Sequence, residues 1–153
     1  MYSACSCVDD AFITMMNMAQ HQKYPLAKKL VFGLPSIAMA LLIFYFSSLE
    51  RIDLPLDEIS FNDLIFHFLA YFLFGLSLLL AAYPWSAKTP YPLSTIFILI
   101  LIGVCYAASD EIHQGFVPNR NCSFIDFLAD SVGVAASIVI GSRFVRKADR
   151  NRI

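Results

Sequence analysis

Charged residues are scarce in this sequence. Of its 153 residues only 15% are charged, 58% are hydrophobic, and the mean hydropathy is +0.64. Soluble domains contain about 25% charged and about 45–50% apolar residues. The composition therefore argues against an ordinary water-soluble domain and indicates a membrane protein.

Several common chemical motifs are also absent. The sequence has no H-E-x-x-H motif, which disfavours a zincin-type intramembrane protease, and no glycine-rich loop for nucleotide phosphates. Its four cysteines show no metal-ligand spacing beyond the C-x-C of Cys5 and Cys7, so free thiols are predicted rather than a disulfide framework. No cofactor is predicted, and the basic C-terminal residues fit topology and anionic lipid better than nucleic acid.

Four long apolar runs follow one another along the chain. Each approaches the length of about 20 residues that crosses a membrane. They are too long and continuous for strands, whose backbone would also lack partners in lipid. The predicted fold class is therefore all-α, a polytopic membrane bundle of four transmembrane helices. The predicted spans are residues 30–48, 63–83, 93–109 and 124–144.

Positive charge is divided unevenly between the two sides of this predicted bundle. Four spans place both termini on one side, which carries nine of the eleven Lys and Arg residues, while Arg51 and Arg120 lie on the other. The positive-inside rule then predicts a multi-pass protein of the cell membrane with both termini cytoplasmic. The predicted organisation is a cytoplasmic tail at residues 1–29, a transmembrane domain at 30–144 and a basic cytoplasmic tail at 145–153.

The first 22 residues carry no basic residue before Lys23 and no evident cleavage site, which disfavours a secretory signal. A loose or interfacial cytoplasmic tail and a true start at Met15, Met16 or Met18 are both open interpretations.

Polar residues recur at helical spacing inside the apolar runs. His67 and Tyr71 are four residues apart on one face of the second helix. Asp130 lies about 6–10 Å inside the fourth helix, beyond the reach of capping, where a charge must be neutralised or paired. Together with the ends of the first and third helices, these groups are predicted to form one outward-facing polar cluster. Its predicted members are Ser47, Ser48, Asp63, His67, Tyr71, Asp110, Glu111, Gln114, Asp126 and Asp130.

Some of these residues also have plain structural interpretations. Ser123 and Asp126 have the spacing of a capping box, so Asp126 is equally well explained as a helix cap. His67 fits a structural pair with Asp63 as well as it fits a catalytic role. A metal site formed by His67, Glu111 and Asp126 has no supporting ligand spacing, and no metal is predicted.

Arg120 lies beside the predicted cluster. It is expected to pair with Asp126 or Glu111, or to hold a phosphate or carboxylate with its planar guanidinium. His113 is expected at the surface. A close helix contact is predicted for the small residues spaced by four in the last span, Gly133, Ser137 and Gly141.

The run from Asp110 to Gly133 resembles the signature of VanZ-like membrane proteins, approximately D-E-x-x-Q-x-x-x-P-x-R-x-x-x-x-x-D-x-x-x-N-x-x-G. Asp130 departs from this pattern, since the family more often has Asn there. The resemblance covers roughly residues 30–142. The matching positions are Asp110, Glu111, Gln114, Pro118, Arg120, Asp126 and Gly133, with an upstream H-x-x-x-Y-x-x-x-G at His67, Tyr71 and Gly75 and an F-Y-x-S-S at Phe44, Tyr45, Ser47 and Ser48.

The family is named for a protein that gives low-level teicoplanin resistance. The resemblance therefore implies a small membrane protein linked to the cell envelope or to glycopeptide response, and it implies no particular reaction. Expected partners are membrane lipids and a lipid-linked envelope precursor or glycopeptide.

Three hypotheses for the polar cluster remain open. In the first, the cluster binds a lipid-linked or anionic envelope ligand. The candidate ligand-binding residues are Arg120, Asp110, Gln114, Asp130 and Tyr71. In the second, the protein is a membrane-embedded hydrolase or transferase. His67 is then the base or nucleophile, oriented by Asp63 or Asp126, Glu111 is the partner acid, and Arg120 stabilises developing negative charge. In the third, the polar residues only hold the four helices in register.

Overall fold

A computed structural model describes residues 25–50, 61–85 and 91–150, which form four α-helices and one short 3-10 turn. No strand occurs within these residues, and the prediction of an all-α, four-helix fold is confirmed. Cys5, Cys7 and most of the predicted N-terminal tail and first loop lie outside the described residues. The helices are α1 (Leu26–Ser47), α2 (Phe61–Ala82), α3 (Leu93–Gln114) and α4 (Phe124–Arg150), and the 3-10 turn is Tyr83–Trp85.

All four helices are long and apolar enough to cross a membrane. A helix of 22 residues, the length of α1, α2 and α3, extends about 33 Å, slightly more than a hydrocarbon core of about 30 Å. All four helices extend beyond the predicted spans at one end: α1 begins before residue 30, α2 begins before residue 63, α3 continues past residue 109, and α4 continues past residue 144. Most of the polar side chains that α3 carries after residue 109 are buried in the bundle. The helix therefore continues through these residues.

The centre of the bundle is the contact between α2 and α4. A Cβ atom added at Gly133 would lie 2.5 Å from the backbone oxygen of Phe68, so only glycine allows this approach. One turn further along, Gly75 faces Ser137, and Gly141 then packs against Leu79. The predicted close contact through these small residues of α4 is confirmed. In contrast, α1 is peripheral, with 11% of its span buried against 33% for α2.

The two ends of the bundle differ in chemistry. At one end the Lys29 ammonium lies 4.7 Å from the centre of the Trp85 ring. Beside it the Tyr91 hydroxyl donates to the carbonyl of Leu79 at 3.0 Å, and burial raises the pKa of Tyr91 to about 12, so this hydroxyl is neutral near pH 7. At the opposite end lies a polar cluster to which all four helices contribute.

Candidate functional site

Polar side chains from all four helices meet at one end of the bundle. The last turn of α1 contacts the last turn of α3, and the first half of α2 contacts both α3 and the start of α4. The convergence predicted from the sequence is confirmed. The contacts divide this cluster into two parts, a set of hydrogen bonds around Arg120 and a group of three ionisable side chains around His67.

Arg120 is the centre of the first part. Its Nε donates to the carbonyl of Leu49 at 3.0 Å and its Nη2 to the carbonyl of Phe46 at 2.9 Å. The carbonyls at the end of a helix have no partner within the helix and carry partial negative charge. Arg120 therefore caps the C-terminal end of α1 from the loop between α3 and α4.

The hydrogen bonds of Arg120 continue into α3. Its Nη1 donates to Gln114 Oε1 at 3.2 Å, and Gln114 Nε2 donates to Asp110 Oδ2 at 3.1 Å and to Ser47 Oγ at 3.5 Å. We call Ser47, Asp110, Gln114 and Arg120 the clamp. The predicted pairing of Arg120 with Asp126 or Glu111 is wrong, because its hydrogen bonds within the described residues go to neutral carbonyl and amide oxygens.

The second part joins three helices. His67 Nδ1 on α2 lies 3.1 Å from Asp130 Oδ1 on α4. One ligand-capable atom from each of His67, Asp130 and Glu111, which lies on α3, falls within 4.8 Å of the other two. We call these three residues the triad. Asp130 is completely buried, whereas the side chain of His67 is 19% exposed, so the triad opens on the His67 side.

The partner of His67 is a carboxylate one helical turn further along α4 than Asp126. The contact to Nδ1 comes from Asp130, not from the capping-turn residue Asp126, which acts on His67 only electrostatically. An ionised carboxylate can only accept a hydrogen bond, so with Asp130 ionised Nδ1–H donates and Nε2 keeps its lone pair. In this tautomer His67 can act as a base through Nε2. In the other tautomer Nδ1 is unprotonated, and Nδ1 and Asp130 Oδ1 can then share a cation.

Glu111 connects the triad to the start of α4. Its Oε2 accepts a hydrogen bond of 2.8 Å from the backbone N–H of Ser123, and Ser123 Oγ accepts one of 3.3 Å from the backbone N–H of Asp126. Half of the predicted capping box is therefore confirmed. The reciprocal half is wrong, because Glu111 on α3 takes the place expected for the Asp126 side chain.

Two oxygens of the triad are buried without a hydrogen-bond donor among the described residues, Glu111 Oε1 and Asp130 Oδ2. Tyr71 Oη and Asp110 Oδ1 also lack a hydrogen-bond partner by distance and angle among the described residues, but these two side chains interact with each other. An unsatisfied buried polar atom costs about 1–3 kcal/mol, and more for a charged group. The two triad oxygens are therefore acceptors whose burial is not offset by a hydrogen bond within the described residues.

The electrostatic character of the triad is acidic. Glu111 and Asp130 each contribute a carboxyl group, and Asp110 and Asp126 add negative potential at Asp130. The nearby positive charge of Arg120 is directed at the end of α1 instead. The triad is suited to a cation or to a ligand rich in hydroxyl and N–H groups.

His113, the other histidine among the described residues, has a structural role. It is half-buried rather than at the surface as expected, its Nε2 lies 3.0 Å from Ser48 Oγ, and its ring stacks on Phe44 with centroids 4.7 Å apart. This contact ties α3 to α1 outside the triad.

These helices and their polar cluster define a small polytopic membrane protein with a partly buried site at one end. The VanZ/LLP1 family model matches residues 11–145, and the chain belongs to this family. The resemblance seen in the motifs is thereby confirmed over most of the chain. No curated protein and no solved structure matches the sequence.

Proposed function

We propose that this VanZ/LLP1 family protein is an integral protein of the cell envelope that binds the polar head group of a lipid-linked envelope ligand at the triad. One observation carries the proposal: Glu111 Oε1 and Asp130 Oδ2 are buried acceptors that receive no hydrogen bond from the described part of the chain. A head group of sugar and peptide brings hydroxyl and amide N–H donors that match them. A glycopeptide such as teicoplanin offers the same groups, in line with the name of the family.

The depth of the triad supports a membrane-resident ligand. Asp130 is the seventh residue of α4, so it lies about 9 Å inside the helix start. A head group that remains attached to its lipid reaches this depth from the membrane interface. The charge distribution supports a triad that faces away from the cytoplasm, because nine of the eleven Lys and Arg residues belong to the opposite side.

Arg120 has a secondary role in this proposal. Three of its N–H groups donate to Leu49, Phe46 and Gln114, so its guanidinium is engaged within the protein and not by the ligand. The clamp also holds the helix ends on which the triad is built.

A binding experiment tests the proposal. The full-length protein in lipid nanodiscs is titrated with a purified prenyl-diphosphate-linked sugar–peptide and, separately, with teicoplanin. Glu111→Gln is expected to weaken binding about tenfold or more, since a hydrogen bond to a charged group contributes about 1.5–3 kcal/mol. The matched control is Glu50→Gln, at an exposed glutamate outside the cluster, which is expected to bind like the wild type. Equal affinity of all three proteins, or no binding by the wild type, contradicts the proposal.

A cellular experiment complements the binding data. Wild type, Glu111→Gln and Glu50→Gln are expressed in a glycopeptide-susceptible host, and teicoplanin tolerance is scored against the amount of inserted protein. We expect tolerance to fall only in Glu111→Gln at normal insertion. Loss of inserted protein in this variant would instead favour the hypothesis that the cluster only holds the helices together.

The His67–Asp130 pair favours a second candidate function, a hydrolase or transferase acting on the same ligand. A carboxylate that orients a histidine through Nδ1 leaves Nε2 as a general base. This candidate predicts that His67→Gln still binds the ligand but no longer converts it, while His113→Gln keeps conversion. Mass spectrometry of the incubated lipid-linked ligand detects the product, and an unchanged ligand with wild-type protein rejects this candidate.

A further inference from the structure

The triad has the composition of a metal site. We propose that His67, Glu111 and Asp130 bind one divalent transition-metal ion of the Zn²⁺ class, each through one atom. The role of this ion as a contact for the head group rests on the proposed function. Binding of the ion itself does not depend on that function. No metal is predicted from the sequence, because the three residues are far apart along the chain and form no metal-ligand motif. The folded helices bring them together.

The distances within the triad suit a shared ion. Nitrogen and oxygen ligands lie about 2.0–2.2 Å from Zn²⁺, which places adjacent ligands of a tetrahedral site about 3.3 Å apart. His67 Nδ1 and Asp130 Oδ1 are 3.1 Å apart, and the whole set lies within 4.8 Å. To bring the most widely separated ligand atoms of the triad to this separation, one of them must move by about 1–1.5 Å. A rotation of the long Glu111 side chain supplies this shift.

The unsatisfied oxygens of the triad are the second, independent observation. Glu111 is 3% exposed and Asp130 is 0% exposed, yet one oxygen of each has no donor among the described residues. Two carboxylates at this depth in a membrane need compensation by positive charge. A divalent ion supplies both the charge and the missing contacts.

The donor set selects the class of metal. One imidazole with two carboxylates suits Zn²⁺ and related transition metals better than Ca²⁺ or Mg²⁺, which prefer oxygen ligands only. Three protein ligands leave a fourth position, which in zinc sites is taken by water or substrate. The partly exposed side of His67 provides that position. An ion there also explains how an acidic cluster accommodates the anionic phosphate of a lipid-linked ligand.

The surroundings hold the ligands in place. Glu111 Oε2 is fixed by the backbone N–H of Ser123 at 2.8 Å. The close approach of Gly133 to Phe68 fixes α2 against α4 next to the His67–Asp130 contact. Hydrogen bonds and rigid packing behind metal ligands are typical of sites with high affinity.

The test measures metal content and affinity without any activity. Full-length protein carrying a tag without histidine is purified in detergent, stripped with a chelator and dialysed against Zn²⁺. Elemental analysis is expected to give one zinc per chain. Glu111→Gln and Asp130→Asn are expected to bind Zn²⁺ about a hundredfold more weakly, because even the loss of an outer hydrogen-bond partner costs about 10- to 100-fold.

Two matched controls separate ligation from general effects. Glu50→Gln removes a glutamate and His113→Gln removes a histidine outside the triad, and both are expected to bind zinc like the wild type. Loss of zinc in the triad variants alone supports the site. Equal zinc in wild type and triad variants, or no zinc in the wild type, overturns it.

X-ray absorption of zinc-loaded wild type decides the matter if a triad variant does not accumulate. One imidazole with oxygen ligands and no sulfur supports the site. A sulfur ligand or two imidazoles would show that zinc binds elsewhere, for example at Cys5, Cys7 and His21, and would overturn the proposal. If the protein binds zinc but not the head group, the metal site stands and the proposed function is rejected. If it binds the head group but not zinc, only the metal site is rejected.

Discussion

Arg120 and Glu111 belong to the same motif but act in different parts of the cluster. Arg120 lies in the clamp, where its hydrogen bonds hold the end of α1 and the side chain of Gln114. Glu111 lies in the triad, and one of its oxygens has no donor within the residues that the structure describes. Substitution of the two residues is therefore expected to have different consequences, loss of stability in the first case and loss of ligand binding in the second.

Replacing Arg120 by lysine tests this distinction. An ammonium group cannot reproduce the planar fork that reaches two carbonyls and one amide oxygen, so we expect Arg120→Lys to lower the free energy of unfolding by about 1–3 kcal/mol. Ligand affinity per folded molecule is expected to stay within about twofold of the wild type. Thermal unfolding in detergent and titration in nanodiscs measure the two quantities. Normal stability with strongly reduced affinity would show that Arg120 is a ligand contact, as the sequence analysis expected.

At the scale of the helices, the contact between α2 and α4 determines the geometry of the site. His67 and Asp130 are 63 residues apart in sequence and meet because these two helices approach closely at Gly133. Any side chain at position 133 must displace the backbone of α2 at Phe68. The distance between His67 and Asp130 therefore depends on Gly133, which is not itself part of the triad.

Gly133→Ala is expected to lower the free energy of unfolding by about 1–3 kcal/mol, the typical cost of an overpacked core. We also expect it to weaken ligand binding at the triad. Gly33→Ala on α1 is the matched control, because a Cβ there has nothing within 4 Å, and it is expected to leave stability unchanged or raise it by up to about 1 kcal/mol. Unfolding curves of the two variants against the wild type measure the difference. Equal curves for both variants would show that the α2–α4 contact adapts without cost.

The sequence predicted the helices well because the length and continuity of an apolar run determine a membrane span directly. It also placed the polar residues at one end of the bundle. The predicted end of α3 at residue 109 was wrong. Asp110, Glu111 and Gln114 interrupt the apolar run, but in the structure they are buried and hydrogen-bonded, and the helix continues through them. The sequence could not decide which carboxylate pairs with His67, since helical periodicity orders residues along one helix and says nothing about the rotation of its neighbour.

At the scale of the whole molecule, the orientation in the membrane decides which compartment the triad meets. The distribution of Lys and Arg predicts that both termini are cytoplasmic and that the triad faces outward. Cys122 lies in the connection between α3 and α4, close to the triad, and is an exposed free thiol. This residue offers a natural label for the orientation.

A variant that retains only Cys122, with the other three cysteines replaced by alanine, tests the orientation. A membrane-impermeant maleimide is expected to label it in intact cells to the same extent as in permeabilised cells. A variant without cysteine is the control for background labelling. Labelling that requires permeabilisation would place the triad on the cytoplasmic side and reverse the predicted topology.

The two oxygens of Glu111 have a further consequence for the dynamics of the protein. One oxygen accepts from the backbone N–H of Ser123 at the start of α4, and the other faces the triad. A ligand that immobilises this carboxyl group also immobilises the acceptor of the Ser123 amide. Binding of a ligand at the site should therefore slow deuterium uptake at the Ser123 amide. Hydrogen exchange at the start of α4 would then detect the bound state.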